Sequence, residues 1–176
     1  MGYDSNCNGC PYNQQRHLIA TQRTTRTSPP VELEDHNSST LLVFQSPGDA
    51  EWEAGKPLQP TIKVGGSAGR RIEMSWERRN RKRAEFDIIN AVQCFPGNEG
   101  GRDVAPDAMA ICSCSKRFEN ILNTKTYEKI IVFGDISKQV ITALSYKLKL
   151  SARIIPAKHP NGGVSKTELD NLWESC

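Results

Sequence analysis

Lys129-Ile130-Ile131-Val132-Phe133-Gly134-Asp135 is the stretch on which the fold turns. The β-branched apolar run reads as a short buried strand, and Gly134-Asp135 ends it. Ser137 to Leu150 follows with Val140, Ile141, Leu144 and Leu148 at the spacings of one helix face. Another apolar run, Ala152 to Pro156, comes next. Upstream, Thr40 to Phe44 and Phe86 to Val92 have the same strand character. Helical segments lie between: Ser67 to Arg83, and Pro106 to Leu122 with Pro106 suited to a first turn. Ser165 to Trp173 is the last, with Ser165 and Glu168 spaced as a capping box. Strands alternating with helices predict an α/β fold, a three-layer α/β/α sandwich with a central four-stranded parallel sheet.

With 176 residues, the chain fits one domain over 1–176, its first 39 residues forming a polar, loop-rich arm. No apolar run approaches a membrane span, and Met1 to Asn6 lacks the basic start and apolar stretch of a secretory signal. These features predict a cytoplasmic monomer without a membrane partner. The net charge is only +3, but Arg70, Arg71, Arg78, Arg79, Arg81, Lys82 and Arg83 crowd one stretch. Such a block either binds phosphates or forms a solvated helix face.

Cysteines fall in separated groups: Cys7 and Cys10 as Cys-Asn-Gly-Cys, Cys94 after a strand, and Cys112 and Cys114 in a helix. A Cys-x-x-Cys pair supplies two sulfurs to one centre, and two more close a four-thiolate shell for zinc or an iron–sulfur cluster. The alternative is a set of ordinary thiols. Terminal Cys176 reads as a bystander.

Open parallel sheets bind ligands beyond the carboxyl ends of their strands. Those positions hold Gln45-Ser46-Pro47-Gly48-Asp49-Ala50-Glu51, Asn90, Gly134-Asp135 and Lys158-His159-Pro160-Asn161-Gly162-Gly163. Amides, carboxylates and an imidazole are thus expected around one crevice. No Gly-x-Gly-x-x-Gly follows a strand, no Walker lysine is present, and Ser46 lacks the flanking glycines of a hydrolase elbow.

The order of these motifs resembles the uracil-DNA glycosylase superfamily, most closely its iron–sulfur family 4, from Cys7 to about Gly163. Cys7-Asn8-Gly9-Cys10-Pro11-Tyr12 resembles the family's opening Cys-x-x-Cys-Pro-Leu. Phe44 to Glu51 with Gly55-Lys56-Pro57-Leu58 resembles its first motif, and Gly66-Ser67-Ala68-Gly69 its Gly-Arg-Ala-Gly. Ile89 to Gly97 is similar to its Thr-Asn-Val-Val-Lys-Cys-Arg-Pro-Pro, and His159-Pro160-Asn161 to its His-Pro-Ser. The resemblance implies a 4Fe–4S cluster on Cys7, Cys10, Cys94 and Cys114, with Cys114 chosen over Cys112 by its spacing to Phe133-Gly134. It implies DNA as partner, with a base flipped into a pocket and its glycosidic bond hydrolysed. Asn90 would bind the base edge, His159 would donate to a base carbonyl, and Glu51 or nearby Asp49 would orient water. Gln45, Ser46, Leu58 and Asn161 would also line the base site. Arg78, Arg79, Arg81, Lys82 and Arg83 would meet phosphates.

Three departures bear on the substrate. Gln45 replaces the first-motif Glu, with Phe44 before it in place of Gly. Leu58 replaces the aromatic that stacks on uracil. Asn161-Gly162-Gly163 lacks the usual Ser and bulky wedge, and an extra stretch, Gln59 to Gly65, follows Leu58. The expected target is uracil or, given the altered pocket, a modified pyrimidine such as a hypermodified base in viral DNA. A catalytically inactive relative that binds DNA or a partner is the alternative.

Overall fold

The computed structural model describes residues 5–13, 28–59, 66–99 and 102–174. Residues 14–27 of the expected arm, 60–65 of the extra stretch, and Cys176 lie outside the described residues.

After a 3-10 turn at Ser5–Gly9, the chain runs β1 (Thr40–Phe44), α1 (Asp49–Ala54), α2 (Ala68–Arg78) and β2 (Asp87–Asn90). A two-stranded ribbon, β3 (Asn98–Glu99) and β4 (Arg102–Asp103), leads to α3 (Ala108–Thr124). Then come β5 (Lys129–Phe133), α4 (Asp135–Leu148), β6 (Arg153–Ala157) and α5 (Lys166–Asn171). The central sheet is parallel, in the order β2-β1-β5-β6. The expected α/β/α sandwich is present.

Alternation along the strands makes the layers, because successive side chains point to opposite faces. Leu41, Val43, Ile89, Ile130 and Val132 meet Phe118 and Leu122 of α3 and Val140, Ile141 and Leu144 of α4. Leu42, Phe44, Ile88, Ile131 and Phe133 meet Ile72 and Trp76 of α2, Leu169 of α5, and Trp173. The chain leaves β1 toward β2 on one side and returns to β5 on the other. The ends of β1 and β5 therefore flank the switch point where a crevice opens.

Several boundaries differ from the sequence reading, each for a local reason. β2 stops at Asn90 rather than Val92, although the next two amides still donate to Phe44 O (2.7 Å) and Gln45 O (2.9 Å). α2 ends at Arg78 rather than Arg83, because Asn80 turns left-handed at φ 53° and Arg83–Glu85 form a separate 3-10 turn. Pro106 precedes α3 instead of opening it, because Asp107 is the N-cap and its side chain accepts from Met109 N at 2.8 Å. α4 starts directly after Gly134. The capping box at Ser165 and Glu168 forms as expected, with bonds of 3.1 and 2.8 Å.

The β2 edge is covered. Glu34 forms an antiparallel bridge with Ile88, and Val31 N donates to Gln93 O at 2.6 Å. At the opposite edge, β6 contains Pro156, which has no amide to offer a neighbour. Asp87, fully buried at the start of β2, accepts from Tyr127 Oη (2.8 Å), Lys125 Nζ (2.5 Å) and His36 N (2.8 Å). Such a carboxylate is tolerated in the interior because it is paired and hydrogen-bonded. No helix among the described residues is long and apolar enough to cross a membrane.

Candidate functional site

A cavity of about 240 Å³ opens beyond the carboxyl ends of β1 and β2. It gathers Ser46, Asp49, Glu51, Leu58, Asn90, His159 and Asn161, seven of the eight residues singled out for catalysis or base binding. Gln45 is the eighth. It lines an adjoining crevice with Gly134, Lys138 and Lys158 rather than this cavity; His159 borders both spaces.

Asn90 enters at the last position of β2, paired in register with Phe44 of β1. It is 1 % exposed, and its Nδ2 has no hydrogen-bond partner among the described residues. A buried, unmatched donor costs roughly 1–3 kcal/mol, so its presence in a cavity wall points to a ligand acceptor.

His159 follows β6, and its Nδ1 accepts from Asn161 N at 3.2 Å. That bond leaves the proton of the neutral ring on Nε2 as a donor. Burial pushes the His159 pKa below the ordinary imidazole value; Asp103 opposes this shift and Arg71 adds to it. Gly134 lies against His159 at the end of β5. Its φ of 87° suits glycine, and a Cβ there would stand 3.6 Å from His159 Cβ.

Glu51 caps α1, accepting from Gly48 N at 2.7 Å through Oε2 and from Gln59 N at 3.1 Å through Oε1. Its expected water-orienting role therefore shares the carboxylate with a backbone-anchoring one. Burial pushes its pKa up and Asp103 adds to this; the two amides and Arg83 pull down, and the net shift is upward. Asp49, at the first position of the same helix, also lines the cavity.

Two wall residues escaped the sequence reading. Asp103 arrives on β4 and acts electrostatically on both Glu51 and His159. Its only sequence signal is the Gly100-Gly101 pair ahead of it. Phe44, read only as a departure from Gly, puts a ring in the wall, stacked on Phe133 with centroids 4.5 Å apart. Leu58 faces the same space at 3 % exposure in a left-handed conformation, φ 54°. That conformation costs an ordinary L residue about 1–2 kcal/mol.

The arginine block sits elsewhere. α2 begins at the cavity and ends at the block, about 16 Å away at 1.5 Å per residue. Arg78 holds Asp170 at 2.8 and 2.7 Å, Arg79 holds Glu174 at 2.8 Å, and Arg81 holds Glu85 at 3.1 Å. Arg83 holds Glu34 at 2.7 and 2.6 Å. Lys82 is exposed. Four of the five expected phosphate ligands thus have carboxylate partners within the chain; Arg78, Arg79 and Arg81 stand at or beyond the end of α2 remote from the cavity, whereas Arg83 reaches back to Leu58 O on the cavity wall.

The four cysteines chosen for the cluster are buried at 2–4 % exposure, whereas Cys112 on the same helix as Cys114 is exposed. Cys10, Cys94 and Cys114 pack together with Tyr12, Val92 and Ala110. Arg117 donates to Cys7 Sγ, and Gln93 N to Cys114 Sγ, both at 3.5 Å. Burial pushes the Cys114 thiol up to about 12, and the charges of Cys10 and Cys7 add to that. Buried thiols with N–H donors and a nearby guanidinium fit an iron–sulfur centre, which holds its ligands as thiolates and draws hydrogen bonds to sulfur. Among the described residues, no three His, Cys, Asp or Glu side chains stand close enough to hold a single ion.

Compared with protein-family models and with curated proteins, the sequence matches none.

Proposed function

We propose that this chain is a DNA glycosylase of the uracil-DNA glycosylase type, removing uracil or a modified pyrimidine and leaving an abasic site. The observation that carries the reading is Asn90, whose buried Nδ2 lacks a partner among the described residues in a cavity it shares with His159. A base edge offers the acceptor that this donor lacks, and the amide oxygen serves a donor on the same edge.

The reaction breaks the bond between the base nitrogen and C1′ while water oxygen bonds to C1′. The base leaves with the electron pair and takes up a proton from solvent. His159 Nε2–H stabilises the negative charge growing on a base carbonyl oxygen. Asp49 and Asp103 present negative charge to the cationic sugar, and one of them accepts the proton of the attacking water. Phe44 supplies an aromatic wall that Leu58 does not. The cavity equals roughly eight liquid waters in volume. Bonded atoms pack closer than waters, so a pyrimidine ring leaves room for a substituent. A hypermodified base of viral DNA fits that description and would place the enzyme in defence rather than repair. Cys7, Cys10, Cys94 and Cys114 would hold a 4Fe–4S cluster, which supplies cross-linking of the N-terminal segment to the sheet rather than a reaction step.

A second reading, a non-cleaving relative that binds DNA or a protein, is favoured by Glu51 having both oxygens bonded to backbone amides. Base release separates the two. The protein is incubated with DNA containing uracil, with unmodified DNA, and with DNA carrying hydroxymethylated or glucosylated cytosine. Alkali then converts abasic sites to breaks. Breaks in uracil DNA alone indicate repair, and breaks in modified DNA alone indicate the enlarged substrate. Binding without breaks favours the second reading.

The low His159 pKa gives a pH test. Catalysis uses the neutral ring, so the rate should stay level as pH falls past about 6.5 and drop only below it. The unfolded chain protonates this histidine first, so its contribution to stability is present above about 6.5 and is lost as pH falls through the lower folded value. A rate that rises as pH falls below about 6.5, with the rise absent from His159→Gln, would remove the neutral-donor role.

A further inference from the structure

The left-handed turn at Leu58 is held from two sides. Gln59 N donates to Glu51 Oε1 on one. On the other, Arg83 donates Nη1 to Leu58 O at 2.9 Å and Nη2 to Pro57 O at 2.6 Å. The same guanidinium is fixed by Glu34 through Nε to Oε1 at 2.7 Å and Nη2 to Oε2 at 2.6 Å. Glu34 is itself tied to β2, donating N–H to Ile88 O at 2.9 Å and accepting from Ile88 N at 3.0 Å. His36 Nε2 lies 2.7 Å from Glu34 Oε1. Burial alone would raise the Glu34 pKa, but Arg83 and His36 more than offset it, so the carboxylate stays charged. An unbroken chain of hydrogen bonds thus runs from the edge strand to the cavity wall. A planar guanidinium is suited to this task because it spans two carbonyls and a carboxylate at once.

We propose that Arg83 is a positioning residue that fixes the Leu58 wall of the base pocket, and with it the fit to the base, rather than a phosphate contact. The kinetic part of this inference rests on the glycosylase reading; the structural part does not.

The test compares the full chain with Arg83→Gln and Arg83→Lys. The first readout is hydrogen exchange of the Gln59 amide. The second is base release at saturating DNA, alongside DNA affinity across a salt series. Arg83→Gln should speed Gln59 exchange about tenfold or more and lower kcat about tenfold. DNA affinity and its salt slope should not change. Lysine should not rescue, since one ammonium cannot span the three partners. Unchanged Gln59 exchange overturns the proposal. So does a salt slope reduced by about one with kcat intact, the signature of a lost phosphate contact. If the wild type releases no base from any DNA, the glycosylase reading fails alone, and Gln59 exchange still decides the clamp. If Arg83→Gln does not fold, Glu34→Gln takes its place with the same two readouts.

Discussion

Asn90→Ala is expected to slow base release about 10²–10³-fold while leaving the melting temperature unchanged or slightly raised. The size follows from removing one preorganised donor aimed at the base, a change of the kind that costs this much elsewhere. The direction of the stability change follows from Nδ2 being buried and unmatched among the described residues. Deleting such a donor removes a desolvation penalty without breaking a bond. Asn90→Asp should be slower still, because a carboxylate would stand against the departing anion. Single-turnover kinetics and thermal melting check both halves. A melting temperature that drops steeply with Asn90→Ala would mean that the side chain is structural and that its donor is satisfied in solution. A rate within a few-fold of wild type would detach Asn90 from the chemistry and take the main support from the glycosylase reading.

Cys114→Ser is expected to abolish iron loading and to lower Tm by about 8–16 °C, whereas Cys112→Ser should change neither. The contrast rests on burial, since Cys114 is 3 % exposed and Cys112 faces solvent. Loss of a metal centre belongs to the few single changes that exceed about 4 kcal/mol, and a chain of this size converts each kcal/mol into about 2–4 °C. Iron analysis with visible absorption reads the first effect, and calorimetry the second. Brown wild-type protein with broad absorption supports the cluster. Colourless protein containing zinc would replace it with a single-metal centre. Iron retained in Cys114→Ser and lost in Cys112→Ser would exchange the two roles.

The sheet was legible because its strands are short, apolar and β-branched. Thr40 to Phe44 and Lys129 to Phe133 coincide with β1 and β5 to the residue. Placing the candidate site needed only the rule that ligands lie beyond strand ends, and that rule brought Asn90, His159 and the Asp49–Glu51 segment together. What escaped depends on contacts distant in sequence. Nothing near Arg83 reveals that its partners are Glu34, Pro57 and Leu58, so it read as one more cation in a basic run. Asp103 stands on a strand of two residues, too short for any periodicity to register. Gln45 adjoins β1 and its neighbours enter the cavity, yet the alternation of the chain carries it to the next crevice. The helix over Ser67 to Arg83 ran long because the charge pattern continues past Asn80, where the backbone turns left-handed.

β2 lies at the border of the sheet, and an uncovered border strand recruits strands from other copies. Its cover, made through Glu34 with Ile88 and Val31 with Gln93, belongs to the same N-terminal segment as Cys7 and Cys10. The proposed iron–sulfur centre, by anchoring those cysteines, would therefore also guard solubility. On that proposal, protein stripped of iron should clump edge to edge while its helices are still folded, so turbidity would precede the loss of helical signal.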